Sequence, residues 1–557
     1  MSNNRRSFIK RAGVLLSATA ASQAIPAMAL GHEADVPQPT VMASNGQALA
    51  NTNYGKVRGY IRNQTYTFKG IPYGAPTGGK NRFMQPQKPA SWSGERNCLV
   101  YGPISPQKAN SGWLQQEYGF LYQWIDGYQD EDCLRLNVWT PALNDGKKRP
   151  VMFWIHGGGF FSGSSQEHPS YDGENLSKLG DVVVVSVNHR LNVFGFLDLS
   201  AYGEPYKSSG NAGMLDLVAA LEWVRDHIAG FGGDKDNVTI FGQSGGSTKV
   251  TTLMAMSAAK GLFHKAIAQS GSIVQVATPQ YANQITGLVL NNLNISPENI
   301  GALHETKPAR LLEALQFAEA KMGSAVPAGV GRSGLQPVVD GKILPSHPFD
   351  PVAPALSAGI PFMVGTTRNE ASASIDNAAL EQLNEEGLKT RLAEKYKDKA
   401  DALYSVLRRA HPNVKPVELL SYISAQNPMA YLQASRKSAQ TGAPVFLYMF
   451  SWHTPMLDGR PRAFHCSEIP FVFANTDRCE NYTGAGKEAR KLGNKMALAW
   501  INFARHGNPN HKGLPQWPAF TDANGAMMVF NNTCEVKHDP DGDARRLLQN
   551  MYYNKEA

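Results

Sequence analysis

A serine flanked by glycines stands where a strand-like run meets a helix-like one, at Gly242-Gln243-Ser244-Gly245-Gly246. The preceding run Val238–Phe241 is apolar, and the following Ser247–Ser257 can form a helix. In this arrangement the outer glycines permit a turn too tight for a side chain, and the serine projects from a strained backbone. The pattern therefore predicts a nucleophilic serine at Ser244, suited to acyl transfer.

A second glycine run could supply the hydrogen-bond donors that such a nucleophile needs. His156-Gly157-Gly158-Gly159-Phe160 follows the apolar run Val151–Ile155, so it begins where a strand is expected to end. Glycines let the main chain approach a bound group, and backbone N–H groups can stabilise the oxyanion that forms when a serine attacks a carbonyl. We expect Gly158, Gly159 and Gly245 to donate these hydrogen bonds.

The elements around these motifs alternate between strands and helices. Strand patterns occur at Val151–Ile155, Val182–Val187 and Val238–Phe241, and a helical pattern covers Leu215–Ile228. Near-continuous apolar strands that alternate with amphipathic helices are typical of a parallel sheet covered on both faces. The predicted fold class is therefore α/β, with a large, mostly parallel central sheet flanked by helices.

Two later segments, residues 275–335 and 375–435, have helical patterns and few strand signals. Their clearest helices are predicted at Ala309–Met322, Leu383–Tyr396 and Ala400–Arg409. No Gly/Ser-rich or Pro-rich linker delimits either segment, so we interpret them as helical insertions that form a gorge or cap. Residues 54–557 are predicted to form a single domain.

The positive charge of the chain is concentrated at its N-terminus. Arg5, Arg6, Lys10 and Arg11 precede a short apolar stretch and the A-x-A sequence Ala27–Ala29, which is typical of a cleaved export signal. The paired arginines followed by Ser-Phe-Ile-Lys resemble a twin-arginine signal, with an ordinary Sec signal or an N-terminal anchor as the alternatives. We therefore predict a cleaved signal peptide at residues 1–29 and a mobile leader at residues 30–53.

Export changes what the composition implies about partners. Cleavage removes four basic residues and no acidic one, so the net charge falls from +8 to +4. No cluster of Lys and Arg occurs elsewhere, which excludes a nucleic-acid partner, and no apolar run after the signal could span a membrane. The expected partners are a small-molecule substrate and the twin-arginine export machinery, and the expected location is the periplasm or the exterior of a bacterium.

The cysteine pattern does not point to a metal or a redox centre. None of the five cysteines forms a C-x-x-C pair, and no H-E-x-x-H occurs. We therefore expect no metal and no cofactor. In an oxidising compartment five cysteines allow at most two disulfides.

With these motifs the sequence resembles the type-B carboxylesterases of the α/β-hydrolase superfamily, the family of cholinesterases and bacterial para-nitrobenzyl esterases. The resemblance extends from about Tyr54 to the C-terminus. Besides the two glycine motifs, it depends on Phe68–Tyr73, Glu131–Val138, Asn188–Phe196, Phe231–Asp234 and Trp500–Arg505. It implies an α/β-hydrolase fold and hydrolysis of carboxylic esters without a cofactor.

The resemblance also implies the remaining members of a catalytic triad. The family's acid is a glutamate in a pattern matched by Gly365–Ala371, which gives Glu370, although Asn369 and Ala371 depart from the usual Asp and Gly. The family's base is a histidine matched by His465 in His465–Phe473. His465 would act as general base on Ser244, and Glu370 would orient the imidazole. Glu468 is a rival acid because it is close to His465 in sequence.

The resemblance further implies a disulfide and a substrate pocket. Cys98 and Cys133 match the family's first disulfide, and Cys479 with Cys534 is a possible second one, which leaves Cys466 as a buried thiol. Aromatic residues of the loop between Cys98 and Cys133, with those after the first glycine run, are expected to line the gorge. These pocket candidates are Trp113, Trp124, Phe160 and Phe161. An aromatic wall favours apolar or aromatic esters.

Two other functions use the same residues or the same family fold. An amidase or an acyltransferase could use the same triad, because the tight turn that carries Ser244 does not select the leaving group or the acceptor. A non-catalytic relative could serve as a binding surface, but such proteins usually lack a member of the triad. The presence of Ser244, Glu370 and His465 favours an exported ester hydrolase.

Overall fold

Several central strands of this protein form where β-branched and aromatic residues cluster, as in Arg149–Ile155 and Val183–Val187. The structure is a computed structural model that describes residues 40–108, 116–324, 330–424 and 426–553, so the predicted signal peptide lies outside it. Its strands are β1 Val41–Met42, β2 Leu49–Thr52, β3 Gly55–Arg58, β4 Tyr60–Arg62, β5 Thr65–Pro72, β6 Glu95–Asn97, β7 Arg135–Thr140, β8 Arg149–Ile155, β9 Val183–Val187, β10 Gly233–Gln243, β11 Lys265–Gln269, β12 Phe362–Thr367, β13 Val445–Phe450, β14 Ala526–Phe530 and β15 Glu535–His538.

The helices connect these strands and occupy the segments between them. They are α1 Gln116–Tyr122, α2 Glu174–Gly180, α3 Asn192–Phe196, α4 Ala212–His227, α5 Gly245–Leu253, α6 Pro279–Leu293, α7 Pro308–Met322, α8 Glu385–Tyr396, α9 Ala400–Ala410, α10 Pro416–Ser421, α11 Gln426–Ser438, α12 Ile469–Val472, α13 Glu480–Thr483, α14 Lys487–His506 and α15 Gly542–Tyr552. The predicted helices at residues 309–322, 383–396 and 400–409 correspond to α7, α8 and α9.

The strands pair into one large sheet and one small sheet. The large sheet has the order β1-β4-β5-β7-β9-β8-β10-β11-β12-β13-β14-β15, and β2, β3 and β6 form the small one. Pairing is parallel from β9 through β8 to β14, and antiparallel at both ends of the sheet. The prediction of a large, mostly parallel sheet flanked by helices is confirmed.

Alternating side chains of the central strands face two separate apolar cores. In β8, Phe153 packs into one core and Trp154 into the other, and every residue of the strand is buried. Helix α4 contributes Leu221 to the first core, and helix α14 contributes Trp500 to the second. Because helices cover both faces, the central strands are continuous apolar runs instead of alternating ones. This is why β8 and β9 could be predicted from sequence almost to the residue.

Helices of the second insertion form a third apolar cluster together with the C-terminal helix. Leu392 of α8, Leu407 of α9 and Leu548 of α15 belong to it. These helices are amphipathic, and they bury their apolar faces against one another. The insertion therefore has a small core of its own.

The predicted leader extends too far into the chain. Residues 30–53 were expected to be mobile, but Val41–Met42 pairs with β4 and Leu49–Thr52 pairs with β3. Residues from Val41 onward belong to one compact unit. The sequence signal was weak because both strands are short and lie outside the apolar centre of the sheet.

The predicted Cys98–Cys133 disulfide is not formed in the structure. All five cysteines are buried free thiols, which also holds for Cys479 and Cys534. The backbone N–H of Lys69 donates to Cys98 O, whereas that of Tyr73 donates to Leu134 O, beside Cys133. Cys98 and the residue after Cys133 therefore pair with residues four positions apart, Lys69 and Tyr73.

None of the helices in the described residues is long and apolar enough to cross a membrane.

Candidate active site

Ser244 occupies the tight turn between β10 and α5. Its backbone has φ +55° and ψ −122°, a conformation that side-chain-bearing residues rarely adopt, and its N–H donates to Gln269 O at 2.7 Å. A methyl group placed on Gly246 would lie 2.0 Å from Ile155 O, and one on Gly242 would lie 2.6 Å from the same oxygen. Both glycines are therefore required, because the start of α5 touches the end of β8. The turn has the strained geometry that the sequence predicts.

His465 and Glu370 form a short hydrogen bond, with 2.5 Å between Nδ1 and Oε2. Glu370 follows β12, its side chain is only 4% exposed, and its Oε1 accepts a hydrogen bond from Thr367 N at 2.9 Å. The loops that hold the two residues are joined, because Asn369 N donates to Ala463 O at 3.0 Å. Residues that are far apart in sequence are thus fixed side by side.

The second nitrogen of His465 faces the turn that holds Ser244. His465 Nε2 lies 3.3 Å from the side-chain amide nitrogen of Gln243, the residue before the serine. Ser244 and His465 line the same cavity. Burial alone would lower the pKa of His465, but Cys466 and the Glu370 carboxylate raise it well above its ordinary value. The predicted serine, histidine and glutamate are therefore brought together in one site.

Glu468, the rival acid, contacts a different residue. Its Oε1 accepts a hydrogen bond from Gln269 Nε2 at 3.2 Å, and its Oε2 has no hydrogen-bond partner within the described part of the chain. The side chain is fully buried, and burial together with the nearby Glu370 raises its pKa to about 7. Glu370, and not Glu468, accepts the hydrogen bond from the His465 imidazole.

The two glycine motifs meet at their backbones. Gly158 and Gly159 have φ of +75° and +65°, in the left-handed region that favours glycine. A methyl group placed on Gly245 would lie 2.5 Å from both the N and the Cα of Gly159. The amide groups of Gly159 and Gly245 are therefore neighbours beside Ser244. This contact gives a physical reason for glycine at position 245.

A buried lysine and a buried glutamate lie behind the first glycine run. Lys249 of α5 is fully buried and donates a hydrogen bond to His156 O at 3.2 Å, just before the glycines. Burial lowers the pKa of Lys249 to about 7 and raises that of Glu167 to about 8. No sequence motif indicates that these two residues are buried.

A cavity of about 300 Å³ opens onto Ser244. Its lining consists of Trp124, Gly157, Gly158, Gly159, Phe161, Ser162, Glu167, Tyr171, Gln243, Ser244, Arg332, His465 and Cys466. Two of the predicted pocket residues, Trp124 and Phe161, line it. The thiol of Cys466 donates to Gln243 Oε1 at 3.2 Å. The wall is mainly aromatic side chains and glycine backbone, with two ionisable residues, Glu167 and Arg332, that no sequence pattern indicated.

Two other predicted pocket residues are not part of this wall. Phe160 is fully buried and packs on Phe196, with ring centroids 5.0 Å apart, so it belongs to the core. Its neighbour Phe161 points into the cavity, so adjacent residues after the glycine turn face different surroundings. Trp113 lies outside the described residues.

Within the described ranges, no group of three or more His, Cys, Asp or Glu side chains could hold a metal ion.

Comparison with known proteins adds an independent line of observation. Residues 46–547 match the model of the carboxylesterase family. The chain is 36% identical over 513 residues to the para-nitrobenzyl esterase of Bacillus subtilis, which covers 90% of this chain and 98% of that one. It is 32% identical over 519 residues to the phenmedipham hydrolase of Pseudarthrobacter oxydans, with 90% and 99% of the two chains covered.

Solved structures agree with these matches. An esterase from Clostridium hathewayi that can hydrolyse aliphatic aromatic polyesters superposes with a TM-score of 0.78 at 36% identity, covering 91% of this chain and 98% of that one. A carboxylesterase from Geobacillus stearothermophilus gives a TM-score of 0.74 at 36% identity, covering 90% and 100%. The α/β-hydrolase fold implied by the resemblance is confirmed.

Proposed function

Because this chain belongs to the carboxylesterase family and is a carboxylic ester hydrolase, we propose that it cleaves esters through an acyl-enzyme on Ser244. One observation carries the proposal. The His465–Glu370 hydrogen bond holds an imidazole whose second nitrogen, 3.3 Å from Gln243 Nε2, faces the strained serine turn, and Ser244 and His465 line one cavity. This is the arrangement that a serine nucleophile and its general base require.

The reaction follows from the roles of these groups. His465 takes the proton of the Ser244 hydroxyl while the oxygen attacks the ester carbonyl, and the resulting oxyanion accepts hydrogen bonds from the amides of Gly158, Gly159 and Gly245. The tetrahedral intermediate then collapses, and His465 returns the proton to the leaving alcohol. Water repeats the sequence on the acyl-enzyme and releases the acid. Glu370 holds the imidazole in place and stabilises its protonated form.

The cavity wall supports apolar or aromatic esters as substrates. Trp124, Phe161 and Tyr171 present aromatic surface to the space beside Ser244. Similar proteins are named for para-nitrobenzyl esters and for aliphatic aromatic polyesters. We expect esters with an apolar or aromatic group next to the scissile bond to be better substrates than esters of equal size with a polar group at that position.

Substitution of the serine tests the mechanism. Ser244→Ala should lower kcat/KM on para-nitrophenyl esters by about 10⁴-fold or more, because the nucleophile is lost. Ser247→Ala is the matched control, since Ser247 is a buried serine of α5, the helix that follows Ser244, and does not line the cavity. Mass spectrometry with a fluorophosphonate should label wild type and Ser247→Ala, but not Ser244→Ala. Full activity in Ser244→Ala would exclude the proposed acyl-enzyme.

We also propose that the protein is exported by the twin-arginine route. The support is the N-terminal sequence with its paired Arg5 and Arg6 and the A-x-A site at Ala27–Ala29. Replacing both arginines by lysine should leave uncleaved, active protein in the cytoplasm. A fractionation experiment measures this, and unchanged export of the double variant would contradict the twin-arginine assignment.

A further inference from the structure

Arg332 and Glu167 both line the cavity although the proposed mechanism uses neither, and burial raises the pKa of Glu167 to about 8, so that its carboxyl group is mainly neutral near pH 7. Arg332 lines the space beside Ser244, and a methyl group placed on Gly159 would lie 3.0 Å from both terminal nitrogens of its guanidinium. The guanidinium therefore lies next to the glycine that we place in the oxyanion hole. Arg332 and Phe161 also line a second cavity of about 470 Å³, so they stand between the two spaces.

The guanidinium has no anionic partner in direct contact. Within the described residues, its nitrogens make no ion pair and no hydrogen bond, and its guanidinium carbon lies 4.8 Å from the centroid of the Phe161 ring. Glu319 is the acid that attracts it, across the second cavity, yet burial outweighs this attraction and lowers the pKa of Arg332. Arginine stays protonated in proteins, so a half-buried positive charge with unused donors faces the site.

The position of Arg332 indicates which part of an ester it would meet. The leaving alcohol must face His465, because that imidazole returns a proton to it. The carbonyl oxygen faces the glycine amides, so the acyl chain leaves the carbonyl carbon in the remaining direction and runs past them. Arg332 lies beside Gly159 on the wall of the same cavity, where the far end of an acyl chain can reach it. A planar guanidinium matches the two oxygens of a carboxylate and binds them with two parallel hydrogen bonds.

We propose that Arg332 binds a free carboxylate at the far end of the acyl group, so that monoesters of dicarboxylic acids are preferred substrates. This inference rests on the proposed acyl-enzyme function, because the acyl side is defined by the roles of Ser244 and His465. The aromatic wall would hold the carbon chain or ring between the two carboxyl groups, and Arg332 would hold the end. Glu319 would act against this preference, because its carboxylate lines the adjoining cavity.

The test compares two esters that differ in charge and little in length. Mono-para-nitrophenyl adipate carries a terminal carboxylate, and para-nitrophenyl heptanoate has an ethyl group in its place. Arg332→Met should lower kcat/KM for the adipate monoester by about 10- to 100-fold, since a charge-assisted hydrogen bond is lost. Activity on the heptanoate ester should stay within about twofold of wild type, because the methionine keeps the apolar stem.

Two further variants separate charge from geometry. Arg332→Lys keeps the positive charge but not the two parallel hydrogen-bond donors of the guanidinium. Its kcat/KM for the adipate monoester should therefore lie between those of Arg332→Met and wild type. Glu319→Gln removes the competing carboxylate and should raise kcat/KM for the adipate monoester without changing that for heptanoate. An equal loss on both substrates in Arg332→Met, or no loss on either, would overturn the proposal.

A binding measurement keeps this test independent of the catalytic mechanism. Calorimetry with uncleaved monomethyl adipate on Ser244→Ala should show affinity about tenfold or more above that of Ser244→Ala/Arg332→Met. If Ser244→Ala still hydrolyses esters, the proposed function fails, while this affinity difference still supports Arg332 as a carboxylate site. Equal affinities in the two variants would remove the carboxylate site, whatever the activity of Ser244.

Discussion

The bond between His465 and Glu370 sets how readily the imidazole accepts a proton. Glu370→Gln can keep the hydrogen bond from Thr367 N but loses the negative charge that raises the pKa of His465. Only a neutral imidazole can act as base, so the acidic limb of the kcat/KM profile should move to lower pH in the variant. The plateau should fall by about 10³-fold or more, because the protonated imidazole is no longer stabilised.

A pH profile of kcat/KM from about pH 4 to 9 measures both effects. If kcat/KM falls in the variant but the acidic limb of its pH profile stays at the same pH, the Glu370 charge does not act on His465.

The buried carboxyl group of Glu468 makes the free energy of unfolding depend on pH. Its pKa is raised from 4.5 to about 7 in the folded protein. Between these values the folded chain retains a proton that the unfolded chain has released, so the free energy of unfolding falls as pH rises through this window. Glu468→Gln removes the effect. The stability of the variant relative to wild type should therefore increase by about 3 kcal/mol from pH 4.5 to pH 8.

Urea unfolding at several pH values gives this difference directly. A constant difference between the two proteins would mean that Glu468 has an ordinary pKa in the folded state.

Single residues differed in how well their positions could be predicted from sequence. Ser244 could be predicted because its motif is local: the strand, the glycines, the serine and the helix follow one another directly in the sequence. Glu370 and His465 were found only through family patterns, since nothing local links them. Arg332 has no such pattern, and it reaches the cavity only because the fold brings the end of the first insertion beside Gly159. The Cys98–Cys133 disulfide was predicted wrongly because a match to a family sequence pattern gives no distance between the two residues.

At the scale of elements, the contact between β8 and α5 holds the site together. Gly246→Ala would place a methyl group 2.0 Å from Ile155 O, which is backbone and cannot rotate away. We expect a loss of about 3 kcal/mol or more in unfolding free energy, with loss of activity as the serine turn shifts. Urea unfolding and kcat/KM measure the two effects.

Gly287→Ala is the matched control for this change. Gly287 lies on the exposed face of α6, where an added methyl group would meet nothing within 4 Å. The same substitution there should stabilise the protein by about 0.5 to 1 kcal/mol. Equal effects at the two glycines would show that the close contact at position 246 has no energetic role.

Helices and strands with a clear hydrophobic pattern were predicted well, and short elements were not. The helix predicted at residues 215–228 is α4, and the strand predicted at residues 182–187 is β9, with ends within three residues. The strand before Ser244 is longer than predicted, because β10 begins at Gly233 and includes the charged residues Asp234–Asp236. Those residues carry no apolar signal, although the backbone there is extended.

At the scale of the whole molecule, one buried ion pair joins three distant parts of the chain. Arg190, which follows β9, contacts Asp216 of α4 through its side chain at 2.6 and 2.9 Å and donates to Met84 O at 2.7 Å. The two side chains are 1% and 0% exposed. The segment after β9 also reaches the site, because Asn192 Nδ2 donates to Phe161 O at 3.0 Å. The pair therefore connects the core to the wall of the cavity.

This arrangement predicts strong coupling between the two charges. Asp216→Asn leaves the Arg190 charge buried without its partner and should cost about 3 to 5 kcal/mol of unfolding free energy. Arg190→Met/Asp216→Leu removes both charges and should be clearly more stable than Asp216→Asn, because no unpaired ion remains. By contrast, Asp236→Asn breaks the exposed pair with Lys235 and should change stability by less than about 1 kcal/mol. Urea unfolding of wild type, Arg190→Met, Asp216→Leu and the double variant gives the coupling free energy, and additive effects of the two single changes would show that the pair does not link these parts of the fold.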